Sequence, residues 1–293
     1  MNEIEAWVAA TNVPEQTAFR RVVHIVLHAI ASHHELRPQM VMKGGILAAV
    51  LYHTGRFTRD IDFSSPKHYR EFQAGQDTFV RNLADAIALA GEELPYGLAC
   101  RIQRQELRPG VEGNFQTLHI RVGYAQKSNA SAMKRLAAGA SAQVIDIDYS
   151  FNELVGDIST IDLGGNEPLE AYGQLTLMAE KFRALLQQAD IAGGRARGSN
   201  RGQDIFDIHT LLINYPLSIH QQDHMLQLLI EKSASRHLDV SRNLMQRPEI
   251  RERCRDRYEA LQNEIEGELI PFDQAFDAVK AFYEQLPWPK HRQ

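Results

Sequence analysis

The chain is poor in cysteine and has no long hydrophobic run. Its two cysteines, Cys100 and Cys254, are far apart and have no second Cys or His at zinc-ligand spacing. This excludes a disulfide framework and a zinc site of the usual spacing. The longest apolar run, residues 46–52, is far too short to cross a bilayer, so we expect no membrane partner.

An excess of basic residues and a secretory leader are also missing. The 32 Lys and Arg side chains are outnumbered by 37 Asp and Glu, giving a net charge of −5. This balance argues against coating nucleic acid by bulk charge, so any nucleic-acid contact must be local. The first 16 residues carry acidic side chains and no basic stretch followed by an apolar run, so we expect a cytoplasmic protein.

Apolar periodicity predicts a mixture of helices and strands in the first half of the chain. Helical spacing covers residues 16–33, the run after Gly45, and residues 77–90, while extended segments lie near 60–63, 98–107, 116–124 and 142–151. After Gly164 and Gly165, strand patterns become rare and amphipathic helical patterns dominate. We predict an α+β fold with two domains, an α/β domain over 1–165 and a helical domain over 166–293.

The triplet Asp60-Ile61-Asp62 is the first candidate for chemistry. On a strand, residues two apart project to the same face, so both carboxylates can offer oxygen to a divalent cation such as Mg²⁺. Such ions orient phosphates and neutralise a leaving pyrophosphate. The exposed end of an ordinary strand would also explain a lone pair of aspartates.

Two neighbouring patterns strengthen this candidate. Upstream, Lys43-Gly44-Gly45 could bring backbone amides close to phosphates, although a turn before a helix would also explain the glycines. Downstream, Asp146 and Asp148 alternate with apolar residues in a second predicted strand. A further carboxylate on a neighbouring strand would suit a metal site, and an exposed strand face is the alternative.

The helical half carries a third pattern. Lys181 lies four residues from both Leu177 and Leu185, so it emerges on an apolar stripe and needs an anionic partner unless it snorkels to solvent. Asp204 and Asp207 are three residues apart on one face of the following predicted helix, where capping is the simpler explanation.

Several arginines are secondary candidates. Arg59, next to Asp60, could contact phosphate or balance the acidic cluster. The loop near residues 189–203 is rich in Gly and Arg, and its side chains could contact an RNA backbone. The loop arginines are Arg195, Arg197 and Arg201.

At this point the sequence resembles a known family. The stretch MKGGILAAVLYHTGRFTRDIDF, from Met42 to Phe63, resembles the KGG(S/T) and (R/F)(S/T)xDxDF motifs of the AbiEii-type nucleotidyltransferases, toxins of type IV toxin-antitoxin systems that include MenT-like proteins. Further along, QVIDIDYSFNE, PLEAYGQLTLMAEKFRALLQ and NRGQDIFDIHTLL resemble later segments of the same family.

The resemblance implies a polymerase-beta-like mixed-sheet core and a C-terminal helical domain that completes the active-site cleft. It implies Mg²⁺ or Mn²⁺ as cofactor, a nucleoside triphosphate as substrate, the 3′ end of an RNA such as tRNA as acceptor, and a cognate antitoxin as partner. The roles that it implies fall on residues already singled out. The implied catalytic residues are Asp60, Asp62, Asp148, Lys181 and Asp204, with Asp146 second to Asp148; the implied nucleotide-binding residues are Lys43, Gly44, Gly45, Arg59, Lys181 and Asp207; the implied metal ligands are Asp60, Asp62 and Asp148.

Two other functions stay open from the sequence. The same site could transfer a nucleoside monophosphate to a protein side chain. Alternatively, because Ile46 stands where the family has Ser or Thr, the chain could be a degenerate module that binds NTP and acts through protein contacts.

Overall fold

The computed structural model describes residues 2–164, 168–189, 201–265 and 267–289. Its contacts divide the chain into two compact units. The first is Met1–Leu51 with Thr58–Tyr172, and the second is Tyr52–Phe57 with Gly173–Gln293. The short segment Tyr52–Phe57 therefore belongs with the second unit, although its flanks on both sides belong to the first. The domain boundary predicted after residue 165 stays a prediction.

The first unit combines helices with a single mixed sheet. Its helices are α1 (Glu3–Ala9), α2 (Pro14–Ser32), α3 (Gly44–Leu51), α4 (Tyr69–Phe72), α5 (Gln76–Glu93) and α6 (Ala130–Ala137). Its strands are β1 (Val41–Lys43), β2 (Asp60–Ser64), β3 (Leu98–Arg108), β4 (Thr117–Gln126), β5 (Val144–Ser150), β6 (Ile158–Ile161) and β7 (Leu169–Tyr172). The predicted α+β fold class is confirmed.

The seven strands follow the order β3-β4-β5-β2-β1-β7-β6. The central pair, β2 and β5, is parallel, and so is the pair formed by β1 and β7. The remaining neighbours are antiparallel. Strands that lie more than 80 residues apart in the sequence are thus brought side by side at the centre of the sheet.

One face of this sheet is apolar and covered by helices. Alternate residues of β5, among them Ile147 and Tyr149, are buried, and the intervening aspartates are only half-buried. Phe79 of α5 stacks on Tyr149 with ring centroids 5.2 Å apart, and α2 also packs against β5. Burying each such aromatic side chain stabilises the fold by about 1.5–3 kcal/mol. This packing leaves the opposite face for polar side chains.

The second unit is built from helices. They are α7 (Gln174–Leu186), α8 (Gly202–Asn214), α9 (Ile219–Ser235), α10 (Pro248–Arg255) and α11 (Phe272–Gln285). Helix α7 packs against both α8 and α9. In the described part of the chain, no helix is both long and apolar enough to span a membrane.

Most predicted elements are found close to their predicted bounds. The helices predicted over 16–33 and 77–90 are α2 and α5, and the four predicted extended segments are β2, β3, β4 and β5. Strands β1, β6 and β7 were not predicted, because strands of three or four residues are too short to show a period. The predicted loop over 189–203 lies mostly outside the described residues, and α8 begins at its end, at Gly202.

Candidate active site

Four carboxylates line up on two neighbouring strands. The parallel register of β2 and β5 pairs Asp60 with Asp146 and Asp62 with Asp148. Directly paired residues on adjacent strands project to the same face, so all four carboxylates share the polar face of the sheet. The sequence Asp-Ile-Asp occurs in both strands, which keeps the isoleucines in the core and the aspartates out of it.

Strand β4 supplies the neighbours of the two β5 aspartates. The guanidinium of Arg121 donates two hydrogen bonds to Asp146, from Nε to Oδ1 at 2.8 Å and from Nη2 to Oδ2 at 3.0 Å. His119 Nδ1 donates to Asp148 Oδ1 at 2.7 Å, and its Nε2 lies 3.4 Å from Asp146 Oδ1. Arg121 therefore binds both oxygens of Asp146, whereas His119 binds one oxygen of Asp148.

The pKa values of Asp60 and Asp146 are shifted in opposite directions. Desolvation, followed by the charges of Asp148 and Asp146, raises the pKa of Asp60. Burial of Asp146 works in that direction too, but the Arg121 hydrogen bonds and charge outweigh it and lower the pKa of Asp146. Asp60 therefore lies among like charges, whereas Asp146 has a basic counter-ion from β4, and a cation would relieve the repulsion felt by Asp60.

Gly44 lies directly against one of these carboxylates. Helix α3 begins at Gly44, whose φ of +80° lies in the left-handed region. A Cβ built on Gly44 would stand 1.9 Å from Oδ2 of Asp62. Only glycine fits here, because any side chain would both strain the backbone and displace Asp62. The glycine motif and the Asp-x-Asp motif are therefore parts of one packed arrangement.

The other residues predicted near the phosphates take different positions. Lys43 pairs with Asp62 across β1 and β2, and its Nζ forms a buried ion pair with Glu153 Oε1 at 3.3 Å. Ile46 is buried in α3, where it packs with the core. Arg59 is exposed, and its Nη2 lies 3.7 Å from Glu15 Oε1.

A second charged cluster lies inside the helical unit. Lys181 Nζ of α7 donates to Asp204 Oδ1 at 3.1 Å and to Asp207 Oδ2 at 2.6 Å. Arg56 donates to both oxygens of Asp207 at 3.0 Å. Asp207 is 0% exposed and Lys181 only 6%. Lys181 thus faces inward, as its spacing predicted, and the partners observed for it are the two aspartates of α8.

These buried charges hold one another ionised. Burial opposes the charged form of Asp207, but Arg56 and Lys181 prevail and lower its pKa to about 2. In turn, the charges of Asp207 and Asp204 raise the pKa of Lys181, although burial alone would lower it. Asp207 accepts from Arg56 and Lys181 and is sealed from solvent, an arrangement that favours a structural role. Its predicted contact with nucleotide stays a prediction.

The profile of the family described as "Nucleotidyl transferase AbiEii toxin, Type IV TA system" matches residues 25–279, which is most of the chain. The chain belongs to the AbiEii nucleotidyltransferase toxin family. It is accordingly a nucleotidyltransferase of a toxin-antitoxin system, as its motifs predicted, and the family implies an NTP substrate and an antitoxin.

The fold of this AbiEii-family chain is similar to that of a solved protein. JHP933 from Helicobacter pylori is 13% identical, with a TM-score of 0.50 over 94% of this chain and 93% of that chain. MenT4, a nucleotidyltransferase toxin from Mycobacterium tuberculosis H37Rv, is 13% identical, with a TM-score of 0.48 over 97% of each chain. No curated protein matches the sequence.

Four members of these clusters were not predicted from the AbiEii-family sequence. They are Arg56, His119, Arg121 and Glu153. A lone His or Arg in a strand has the appearance of an ordinary solvated side chain, and Arg56 lies in a short stretch without periodicity. The one available signal was the alternation of His119 and Arg121 with apolar residues, which places both on the polar face of β4.

The predicted RNA-contacting arginines divide by position. Arg195 and Arg197 lie outside the described residues. Arg201 precedes α8, and its Nη1 lies 3.6 Å from Asp204 Oδ2. Contact of these three arginines with RNA stays a prediction.

Substituting Gly44 by Ala should disable the site while leaving the fold intact. The added Cβ overlaps Asp62 Oδ2, so we expect nucleotidyl transfer to fall by about 100-fold or more. The matched control is Gly139→Ala, where φ is also positive, +70°, but a Cβ would meet nothing within 4 Å. Transfer rates and thermal unfolding of both variants separate displacement of Asp62 from backbone strain; equal losses in the two variants would contradict the packing argument.

The Asp207 cluster should make stability depend on acid. The pKa of Asp207 is about 2 in the folded chain against an ordinary 3.8, so its contribution is fully present above about pH 4 and is lost as pH falls toward 2. This contribution is on the order of 2 kcal/mol at neutral pH. Urea unfolding between pH 2 and 7 should show the loss, and Asp207→Asn should be less stable at neutral pH with a flatter acid limb. An unchanged acid limb in that variant would show that Asp207 is not the group responsible.

Proposed function

We propose that the chain transfers a nucleoside monophosphate from an NTP to the 3′ end of an RNA, with the acceptor stem of tRNA as target, and thereby blocks translation. The observation that carries this proposal is the row of carboxylates on β2 and β5 with Gly44 packed against Asp62. The acceptor comes from the family resemblance. The polymerase-beta-like character of the core is part of the same proposal.

A divalent cation fits the residues present. Asp60, Asp62 and Asp148 offer hard oxygen ligands on neighbouring strands. Burial and, after it, the charges of Asp148 and Asp146 raise the pKa of Asp60, and a cation would offset that negative charge. Among the described residues, no group of three or more His, Cys, Asp or Glu side chains could hold a metal ion by itself. Mg²⁺ commonly binds through one or two carboxylates together with substrate phosphates, so a shared site suits this set. When bound, the cation would neutralise phosphate charge and favour ionisation of the attacking hydroxyl.

The reaction itself is an in-line exchange of oxygen at phosphorus. The acceptor hydroxyl oxygen bonds to the α-phosphorus, the bond to the bridging oxygen breaks, and pyrophosphate leaves as the hydroxyl proton is released. Gly44, at the start of α3, would let the phosphates approach the backbone beside Asp62. His119 would fix the orientation of Asp148, and Arg121 would keep Asp146 in its structural pairing.

Lys181 and Asp204 enter the proposal through the family resemblance. Lys181 would offset charge on the phosphates, and Asp204 would hold the ammonium in place through the observed 3.1 Å hydrogen bond. The other oxygen of Asp204, Oδ2, is buried and lies 3.6 Å from Arg201 Nη1.

The central test is a transfer assay. Wild-type protein, Mg²⁺, total tRNA and each α-labelled NTP in turn should give label on tRNA with one or more nucleotides. Asp62→Ala should lower the rate by about 100-fold or more while thermal unfolding stays near that of the wild type. Rates near wild type in this variant would refute the assignment. Label on protein would move the acceptor to a side chain, and NTP binding without label would favour the degenerate module.

The two β5 aspartates provide a sharper comparison. Asp148→Asn removes charge from a proposed metal ligand, whereas Asp146→Asn removes charge from the partner of Arg121. We expect the Mg²⁺ concentration for half-maximal transfer to rise by about tenfold or more for Asp148→Asn and to change much less for Asp146→Asn. The reverse order would assign the cation to Asp146 instead.

A further inference from the structure

The polar face that carries the carboxylates continues to the edge strand β3. The antiparallel register pairs Arg104 with Arg121 and Glu106 with His119, and the next pair along is Arg108 with Thr117. Because paired residues share a face, the side chains of Arg104, Glu106 and Arg108 lie on the same side of the sheet as the aspartates. A basic edge therefore borders the acidic centre of one continuous surface.

The two β3 arginines are exposed and share one weak counter-ion. Their side chains are 65% and 56% exposed, for Arg104 and Arg108 in turn. Glu106, itself 37% exposed, lies 3.2 Å from Arg104 Nη2 and 2.8 Å from Arg108 Nη2. Exposed ion pairs of this kind contribute little to stability, so a stronger anion can replace the carboxylate. Two guanidinium groups balanced by one carboxylate leave a surplus of positive charge and of N–H donors.

The placement of Arg104 is unfavourable for the fold alone. It stands directly opposite Arg121, and like charges at opposed positions on neighbouring strands destabilise a sheet. Arg121 is occupied by Asp146, whereas Arg104 is paired only through the shared Glu106 among the described residues. A ligand with closely spaced negative charges would turn this repulsion into binding energy.

The distance to the carboxylates suits a polynucleotide. Two strand spacings separate β3 from β5, about 10 Å. A stacked strand rises ~3.4 Å per nucleotide, so this distance corresponds to about three nucleotides.

We propose that Arg104 and Arg108 bind the phosphate backbone of the acceptor RNA a few nucleotides before its reacting 3′ end. This inference rests on the proposed function and adds the path of the acceptor strand. Guanidinium groups bind phosphodiesters in a bidentate manner, and the backbone phosphates would displace Glu106 from both arginines. A protein acceptor carries no such row of phosphates and would not depend on this pair.

The experiment compares total-tRNA binding by three variants of the full chain. Arg104→Ala/Arg108→Ala should weaken binding by about tenfold or more and reduce the slope of log K against log salt by about 1 to 2. Glu106→Gln should act in the opposite direction and tighten binding several-fold, because it removes the competing anion. The matched control is Arg70→Ala. Arg70 is an exposed arginine on α4, and this helix packs through Phe72 against the opposite face of the sheet, away from the carboxylates.

Each outcome decides the proposal. Wild-type affinity and salt slope in the double variant, or no tRNA binding by the wild type, would overturn it. Loss of NTP affinity together with tRNA affinity would assign the arginines to the nucleotide and overturn it too. If the double variant unfolds, the rise expected for Glu106→Gln still tests the idea. Failure of the proposed function shows separately, as label on protein instead of RNA in the transfer assay.

Discussion

The parallel register between β2 and β5 is the constraint on which the site depends. It fixes which aspartate faces which, and it does so through backbone hydrogen bonds of the central pair of strands. A shift of β5 by one residue would turn Asp146 and Asp148 into the core and Ile145 and Ile147 out of it. The buried face, with Tyr149 stacked on Phe79, therefore stabilises the register that exposes the carboxylates. Core packing and the placement of charge are two results of the same alternation.

Charge is handled differently in the two units. On the sheet, Asp146 is paired with Arg121, while Asp60 lies among the charges of Asp146 and Asp148. In the helical unit, Arg56, Lys181, Asp204 and Asp207 neutralise one another in a buried network. Removing one partner from a buried network lowers the free energy of unfolding far more than removing one partner of an exposed ion pair. The reason is that the remaining charge stays buried without its partner. Asp207, sealed from solvent, joins Arg56 to Lys181 of α7 and so holds these parts of the helical unit together.

The local alternation of apolar and polar residues predicted most of the secondary structure. It did not predict which strands pair with each other. Alternation in residues 60–63 and 142–151 placed both Asp-Ile-Asp segments on strands and showed which side faces the core. The chemistry of a metal site favoured placing the two strands side by side, but neither segment shows the parallel register, because pairing is decided by packing across the whole sheet. For the same reason His119 and Arg121 could not be assigned to Asp148 and Asp146. Gly44 was singled out for its backbone freedom, but its contact with Asp62 depends on tertiary approach.

The segment Tyr52–Phe57 has a consequence for how the molecule can be divided. It leaves the first unit after α3 and returns before β2, and in between Arg56 is bound to Asp207 of the second unit. A fragment ending at Tyr172 would carry a guanidinium whose buried partner had been cut away. The chain is thus interlaced, and its two units cannot be separated or exchanged as independent modules by a single cut. Sequence changes around Asp207 in the helical unit would have to keep a partner for Arg56, which lies in the sequence between Gly44 and Asp60.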